Sequence, residues 1–358
     1  MIPYEGWNRE YQENKEEYLE IFDRFMSQKN YENSEWFEQK FADFLGRKHA
    51  VSVASATDAL FFSLLAHGIG SDDEVLVTDF SWISTSSCIS MTGATPVFCD
   101  IDIESYHISL ESIKKMCSSK TKALIYTHLF GNMTDTEEIE QFCKDRGIIL
   151  IEDAAQSLGS SLHGRKAGTI GDSSSFSFNT NKVIAGINGG GMYLTDDDAK
   201  AEFVKKIRRH GKGRGFEILG YNSRLYVLNA EIINSRLNRI AENQAKRQEI
   251  AAKYTSAFEN LPIITQTIGN GLNHNFHKYV VRFNNNAIRK KVKEYLNLSV
   301  HYGTPLSDNS MYDSIKYRKD DCANSKLASS TVLSLPIHAW LKDNEIDKII
   351  NIFKLGLS

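Results

Sequence analysis

Between residues 50 and 200, short apolar runs alternate with stretches whose apolar positions recur at helical spacing. The runs AVSVAS, EVLVTD, TPVFCDI, KALIYTHL, IILIEDA, SSFSF and GMYLTD are mostly near-continuous in apolar residues, as strands covered on both faces must be. Between them, TDALFFSLLAHG, SLESIKKMC and DTEEIEQFCKDRG read as helices. The alternation predicts an α/β domain with a mostly parallel sheet and crossover helices. The last runs lie too close together for helices to intervene, so part of the sheet is expected to be antiparallel.

The pattern changes after residue 222. Leu225, Leu228, Ile232, Leu237, Ile240, Ala251, Tyr254 and Phe258 recur at helical spacing, and no proline interrupts before Pro262. One continuous helix here would span about 50 Å at 1.5 Å per residue; a kinked one fits the pattern equally. Either would carry the chain into a second unit. The tail reads as a small α+β domain, with HKYVVRF a strand and NEIDKIINIFKLG a closing helix. The expected division is a large domain over 1–235 and a small one over 236–358, with residues 1–28 packing on the small domain.

Length and composition are compatible with that plan: 358 residues, 41% hydrophobic and 24% charged, are ordinary globular values. A net charge of −3 argues against nucleic acid or an anionic membrane as the main partner. The five cysteines, Cys88, Cys99, Cys117, Cys143 and Cys322, include no CxxC pair. They read as reduced cytoplasmic thiols rather than a disulfide framework or a metal site. Met1-Ile2-Pro3-Tyr4-Glu5 opens no signal peptide, and no apolar run approaches the roughly 20 residues of a membrane span. A soluble, cytoplasmic protein is expected.

Two residues change this bland picture. Lys182 follows a short apolar strand in SFSFNTNKVIAGINGGGMYLTDD, and Asp153 ends the run IILIED. An amine and a carboxylate on neighbouring strand ends can hold pyridoxal 5′-phosphate (PLP), the first through an imine and the second through an ion pair to the ring nitrogen. Ser55-Ala56-Thr57-Asp58 lies where a strand gives way to a helix, a place for the phosphate, although Ser55 and Thr57 equally suit plain capping. Ser177 offers a second hydroxyl. Trp82, after EVLVTD, either covers the ring or packs in the core. Gln156 either meets the ring hydroxyl or faces solvent. Asn188-Gly189-Gly190-Gly191 leaves room beside Lys182, or is only a turn. No GxGxxG joins a first strand to its helix, which leaves a nicotinamide enzyme without support.

With these residues assembled, the chain resembles the DegT/DnrJ/EryC1/StrS sugar aminotransferases, which are fold-type I PLP enzymes. The resemblance runs through FEQKFADFLGRKHAVSVASATDAL, DEVLVTDFSWIST, GATPVFCDID, HLFGNMTD, IEDAAQSLGSSLHGRKAGTIGDSSSFSF, the lysine segment, GYNSRL and LSLPIH. It implies that Lys182 carries the cofactor, that Asp153 faces its ring nitrogen, and that Gln156 and Trp82 flank the ring. Ala56, Thr57 and Ser177 would contact the phosphate, and Asn222 would reach it from the other subunit of a homodimer with shared active sites. The implied reaction moves an amino group from L-glutamate, leaving 2-oxoglutarate, to a nucleotide-linked ketosugar. GYNSRL resembles the form seen with 3-keto sugars and points to a dTDP-3-keto-6-deoxyhexose. A 4-keto substrate or a PLP-binding sensor or scaffold without turnover are the alternatives. Family members that dehydrate the sugar carry histidine at the lysine position, and Lys182 is intact.

This chain departs from the family at Ala56, where glycine is common, at Asn188, and at Tyr226, Val227 and Asn229. These changes bear on substrate and dimer contacts more than on the cofactor. The basic run KKIRRHGKGRG either is a solvated helix end or grips a nucleotide diphosphate through Arg208, Arg209 and Lys212.

Overall fold

A computed structural model describes residues 3–28, 34–284, 286–296 and 298–357. The apolar runs become β1 (His49–Val53), β2 (Glu74–Thr78), β3 (Thr95–Cys99), β4 (Thr121–Thr127) and β5 (Ile149–Asp153). The short β6 (Ser161–Leu162) and β7 (Arg165–Lys166) precede β8 (Ser173–Ser177) and β9 (Gly191–Thr195). Later strands are β10 (Ile263–Thr265), β11 (Leu272–Asn273), β12 (Tyr279–Phe283), β13 (Arg318–Lys319) and β14 (Val332–Leu335). The helices preceding β10 are α1 (Trp7–Glu13), α2 (Lys15–Gln28), α3 (Glu35–Leu45), α4 (Ala56–Ala66), α5 (Ser84–Met91), α6 (Leu110–Met116), α7 (Glu137–Arg146), α8 (Asp198–Ile207), α9 (Val227–Leu237) and α10 (Ile240–Phe258). After it come α11 (Asn286–Leu296), α12 (Ala323–Thr331) and α13 (Asp343–Leu357).

An eight-stranded sheet runs in the order β1-β9-β8-β5-β4-β2-β3-β13. β9 is antiparallel to both its neighbours, and every other pairing is parallel. All of these strands except β9 therefore share one carboxyl edge, the usual ligand-binding edge of an open α/β sheet. Alternating side chains feed the two faces. Val75 and Val77 pack with Val51, Val53, Ile125 and Ile151 under α4, while Leu76 joins Val97, Leu124 and Leu150 under α6 and α7.

β12 lies between β10 and β14 in a three-stranded sheet, whose core includes Tyr254 and Phe258 from α10 and Ile349 and Phe353 from α13. The long amphipathic stretch is broken: α9 ends at Leu237, α10 begins at Ile240, and Arg239 lies outside the helical region at φ −105°, ψ 8°. β13, not expected from the sequence, returns the tail to the large sheet beside β3. Strand-end carboxylates secure that return. Asp79 accepts bonds from the amide (2.7 Å) and hydroxyl (3.0 Å) of Ser307, and Asp100 accepts the amides of Asn324 (2.9 Å) and Ser325 (2.8 Å) at the start of α12.

The N-terminal helices touch both α9 and α13. Arg9 forks onto Glu345 of α13 at 2.6 and 2.7 Å, and Glu10 takes Nε and Nη2 of Arg236 in α9 at 2.6 and 2.8 Å. Glu10 and Arg236 are both buried. Removing one partner strands the other without hydration, so Glu10→Ala is expected to lower the unfolding free energy by about 3–5 kcal/mol in a urea titration. Lys253→Ala, which breaks a solvent-exposed pair with Asp343, should leave the midpoint unchanged.

Candidate active site at the carboxyl edge

The site grows from adjoining strand ends. β5 delivers Asp153 at its last residue, and β8 ends at Ser177 and runs on to Lys182. β2 leads to Trp82, and β1 leads through Ser55 into α4. Ser55 adopts an extended conformation and caps α4, its Oγ accepting the amide of Asp58 at 3.1 Å. The amides of Ala56 and Thr57 find no acceptor among the described residues. Free N–H groups and the positive end of the helix dipole thus converge at one point. Thr57 donates its hydroxyl to Ser84 at 2.8 Å, and the hydroxyl of Ser177 accepts the amide of Asn179 at 3.2 Å.

The glycines beside Lys182 have another use than the sequence suggests. A Cβ on Gly191 would lie 2.3 Å from the Ser55 carbonyl, and one on Gly190 would lie 2.6 Å from Leu225. Gly190 also takes φ +126°. They make room for the turn into α4 and for Leu225, just before α9, so that the start of α4 sits against β9.

Asp153 is buried and holds no ion pair among the described residues. Thr85 donates to its Oδ2 at 2.8 Å and the amide of Ala155 to its Oδ1 at 3.2 Å. Burial raises its pKa despite those bonds and the pull of Lys182. Lys182 moves the other way: loss of hydration brings its ammonium down to about 8, against the attraction of Asp153.

Gln156 is buried rather than solvent-facing. Its Oε1 accepts the amide of Phe130 at 2.9 Å and its Nε2 donates to Tyr302 at 3.0 Å. His277 places Nδ1 3.1 Å from Gln156 Oε1 and Nε2 3.1 Å from the carbonyl of Asn181 on the loop carrying Lys182; a neutral imidazole, with one N–H, donates to one of the two. Trp82 is 57% exposed, so it is no core aromatic; its ring centroid lies 6.2 Å from that of Tyr302. Thr85, His277 and Tyr302 were not singled out from the sequence. Thr85 lies within the quoted segment TDFSWIST and could have been found there, whereas His277 and Tyr302 come from the distant tail.

Asn222 is exposed, its backbone bridged to Arg209 and its neighbour Ser223 donating to Asp58 of α4 at 2.7 Å. The expectation for Arg208 needs correction. Its side chain is buried, paired with Glu38 and donating to the Ser52 carbonyl at 2.6 Å. Its guanidinium locks α8 to β1 and α3 and is not offered to a ligand. Arg209 and Lys212 are exposed on the following segment.

These residues fit PLP. The free amides at α4 suit its phosphate, and Asp153, buried without a cation, suits its protonated ring nitrogen. Lys182 supplies an amine that loses its proton near 8. The neutral amine attacks an aldehyde, so the rate at which apoprotein acquires visible absorbance from added PLP should climb with pH and level off above about 8. Lys182→Arg should show no such absorbance at any pH.

Residues 9–354 match the DegT/DnrJ/EryC1/StrS aminotransferase family. A pleiotropic regulatory protein of Geobacillus stearothermophilus is 30% identical, covering 99% of each chain. The dTDP-3-amino-3,6-dideoxy-alpha-D-galactopyranose transaminase of Aneurinibacillus thermoaerophilus is 33% identical over 88% of this chain and 87% of its own. Among solved structures, DesV of S. venezuelae superposes with a TM-score of 0.94 at 27% identity, covering 100% of this chain and 99% of that one. The large, mostly parallel sheet with its single reversed strand is that of the fold-type I PLP aminotransferases. This chain belongs to the DegT/DnrJ/EryC1/StrS family of PLP-dependent aminotransferases.

Proposed function

We propose that the protein moves an amino group from L-glutamate to a nucleotide-linked keto-deoxysugar, with a dTDP-3-keto-6-deoxyhexose as its substrate. The observation that carries the reading is the pairing of Lys182, whose amine is poised near 8, with a buried Asp153 that lacks a cation. The position of amination rests on GYNSRL and on the 3-amino sugar named for the Aneurinibacillus relative. A 4-keto sugar is the alternative.

When bound, PLP supplies an electron sink for the carbanion left when the donor loses its α-proton. Lys182 Nζ takes that proton, and an amine near 8 can both accept and return it around neutral pH. The Asp153 carboxylate, aimed by Thr85, would face the ring nitrogen of bound PLP and favour its protonated form. In the second half-reaction Lys182 runs the transfer in reverse on the ketosugar. Donor and acceptor use one site in turn, so initial rates should be ping-pong.

A homodimer is part of the proposal. Phe216 and Leu219 stand 79% and 89% exposed in the segment that carries Asn222, and Leu19, Phe22 and Met26 are exposed on α2. Such apolar surface suits a second copy. Asn222 would then serve the partner's phosphate site, with Arg209 and Lys212 near the nucleotide. No helix among the described residues is long and apolar enough to cross a membrane. The five unpaired thiols favour the cytoplasm.

The direct test is the visible spectrum of holoenzyme before and after L-glutamate. Bleaching is expected in wild type and its loss in Lys182→Ala, with Asp153→Asn slowed at least about 100-fold. A band that persists in wild type would instead favour cofactor binding without turnover, the reading suited to the regulatory name of the Geobacillus relative. Phe216→Asp with Leu219→Asp should shift the protein towards monomer in sedimentation velocity.

A further inference from the structure

The cavity that Lys182 lines is walled by groups for which the cofactor has no use. Tyr4 and Trp7 come from the N-terminal segment, Arg247 from α10, and His277 and Lys278 from the approach to β12. Lys278 is 6% exposed, and its ammonium has no hydrogen bond or ion pair among the described residues. Its ammonium lies 5.1 Å from the ring centroid of Tyr4. Arg247, 7% exposed, donates Nη1 to the carbonyls of Phe276 (3.0 Å) and Ile337 (2.8 Å). Its Nε and Nη2 have no acceptor among the described residues.

The nearby anions do not balance these charges. Both oxygens of Glu10 are taken by Arg236, and Glu5 is exposed at the mouth, accepting Trp7 Nε1 at 3.0 Å. His277 and His338 are held neutral, as burial lowers the pKa of each. Lys182, Lys278 and Arg247 thus face one void with a single unpaired carboxylate. Burial brings Lys278 down to about 8 and Arg247 to about 10. Buried cations without a partner are costly and collect where a ligand supplies the opposite charge.

We propose that Lys278 and Arg247 seat a carboxylate of the amino donor, which fixes the donor's reacting carbon at Lys182. The inference rests on the aminotransferase reading and extends it. An amino acid carries a carboxylate on the very carbon whose proton Lys182 removes, so an anion so close to that amine is expected of the donor. A keto-deoxysugar carries none there, and its diphosphate lies several bonds away.

Lys278→Met keeps the aliphatic stem and removes a charge with no protein partner, so the thermal midpoint should hold or rise. Holoenzyme of wild type, Lys278→Met and Lys278→Arg would be titrated calorimetrically with glutarate, an unreactive dicarboxylate, and with dTDP. The L-glutamate concentration giving half-maximal bleaching would be measured alongside. Expected in Lys278→Met is at least about tenfold weaker glutarate binding and a matching rise for L-glutamate, from loss of a charge-assisted contact. Its dTDP affinity should be unchanged, and Lys278→Arg should recover most of the loss. Unaltered glutarate and L-glutamate values, in an enzyme that L-glutamate does bleach, overturn the seat alone. Weaker dTDP with unaltered glutarate also overturns it, reassigning the cations to the diphosphate. A wild type that L-glutamate cannot bleach overturns the donor assignment itself.

Discussion

The Asp153 carboxylate lies at the end of β5 without a positive group bonded to it, and the Lys182 amine lies near enough to be drawn to it. Lost hydration pushes both towards their neutral forms, the acid upwards and the amine downwards. A direct ion pair would relax both and leave neither free for chemistry. Thr85 and the Ala155 amide hold the carboxylate instead with neutral bonds. The His277–Asn181 contact ties down the lysine loop. The surrounding architecture keeps these two groups close yet not directly bonded.

That separation depends on the sheet. With β9 running backwards between β8 and β1, the ends of β8 and β1 open on the same edge as β5. Gly191 then lets the turn into α4 press against the reversed strand. The buried Arg208–Glu38 pair secures β1 from beneath, through Ser52. Asp79 and Asp100 bind the returning tail to the same edge, which also carries Tyr302 and His277 into reach of Gln156.

The large sheet was legible because its strands are buried on both faces, which leaves uninterrupted apolar runs in the chain. Lys182 and Asp153 were legible because each directly follows or ends such a run. Residues 318–319 were not, since a two-residue strand carries no periodicity and forms only because β3 offers an open edge. The break after α9 has no proline to announce it. Arg247 stands in an ordinary helix and His277, Lys278 and Tyr302 in a bend, a loop and a turn that carry no motif, and only tertiary packing brings them to the site. Arg208 misled for the opposite reason. Its basic neighbours suggest a solvated surface, whereas the last turn of α8 points it alone towards Glu38.

An amine that sheds its proton near 8 is reactive towards any small carbonyl compound, not towards one vitamin alone. Discrimination is therefore helped by the amides of Ala56 and Thr57, unsatisfied among the described residues, which favour a molecule bearing an anionic tail. Before the cofactor arrives, such a lysine is exposed to adventitious metabolic aldehydes. The newly made chain is then at its most vulnerable to chemical damage, and the speed of cofactor loading becomes a form of protection.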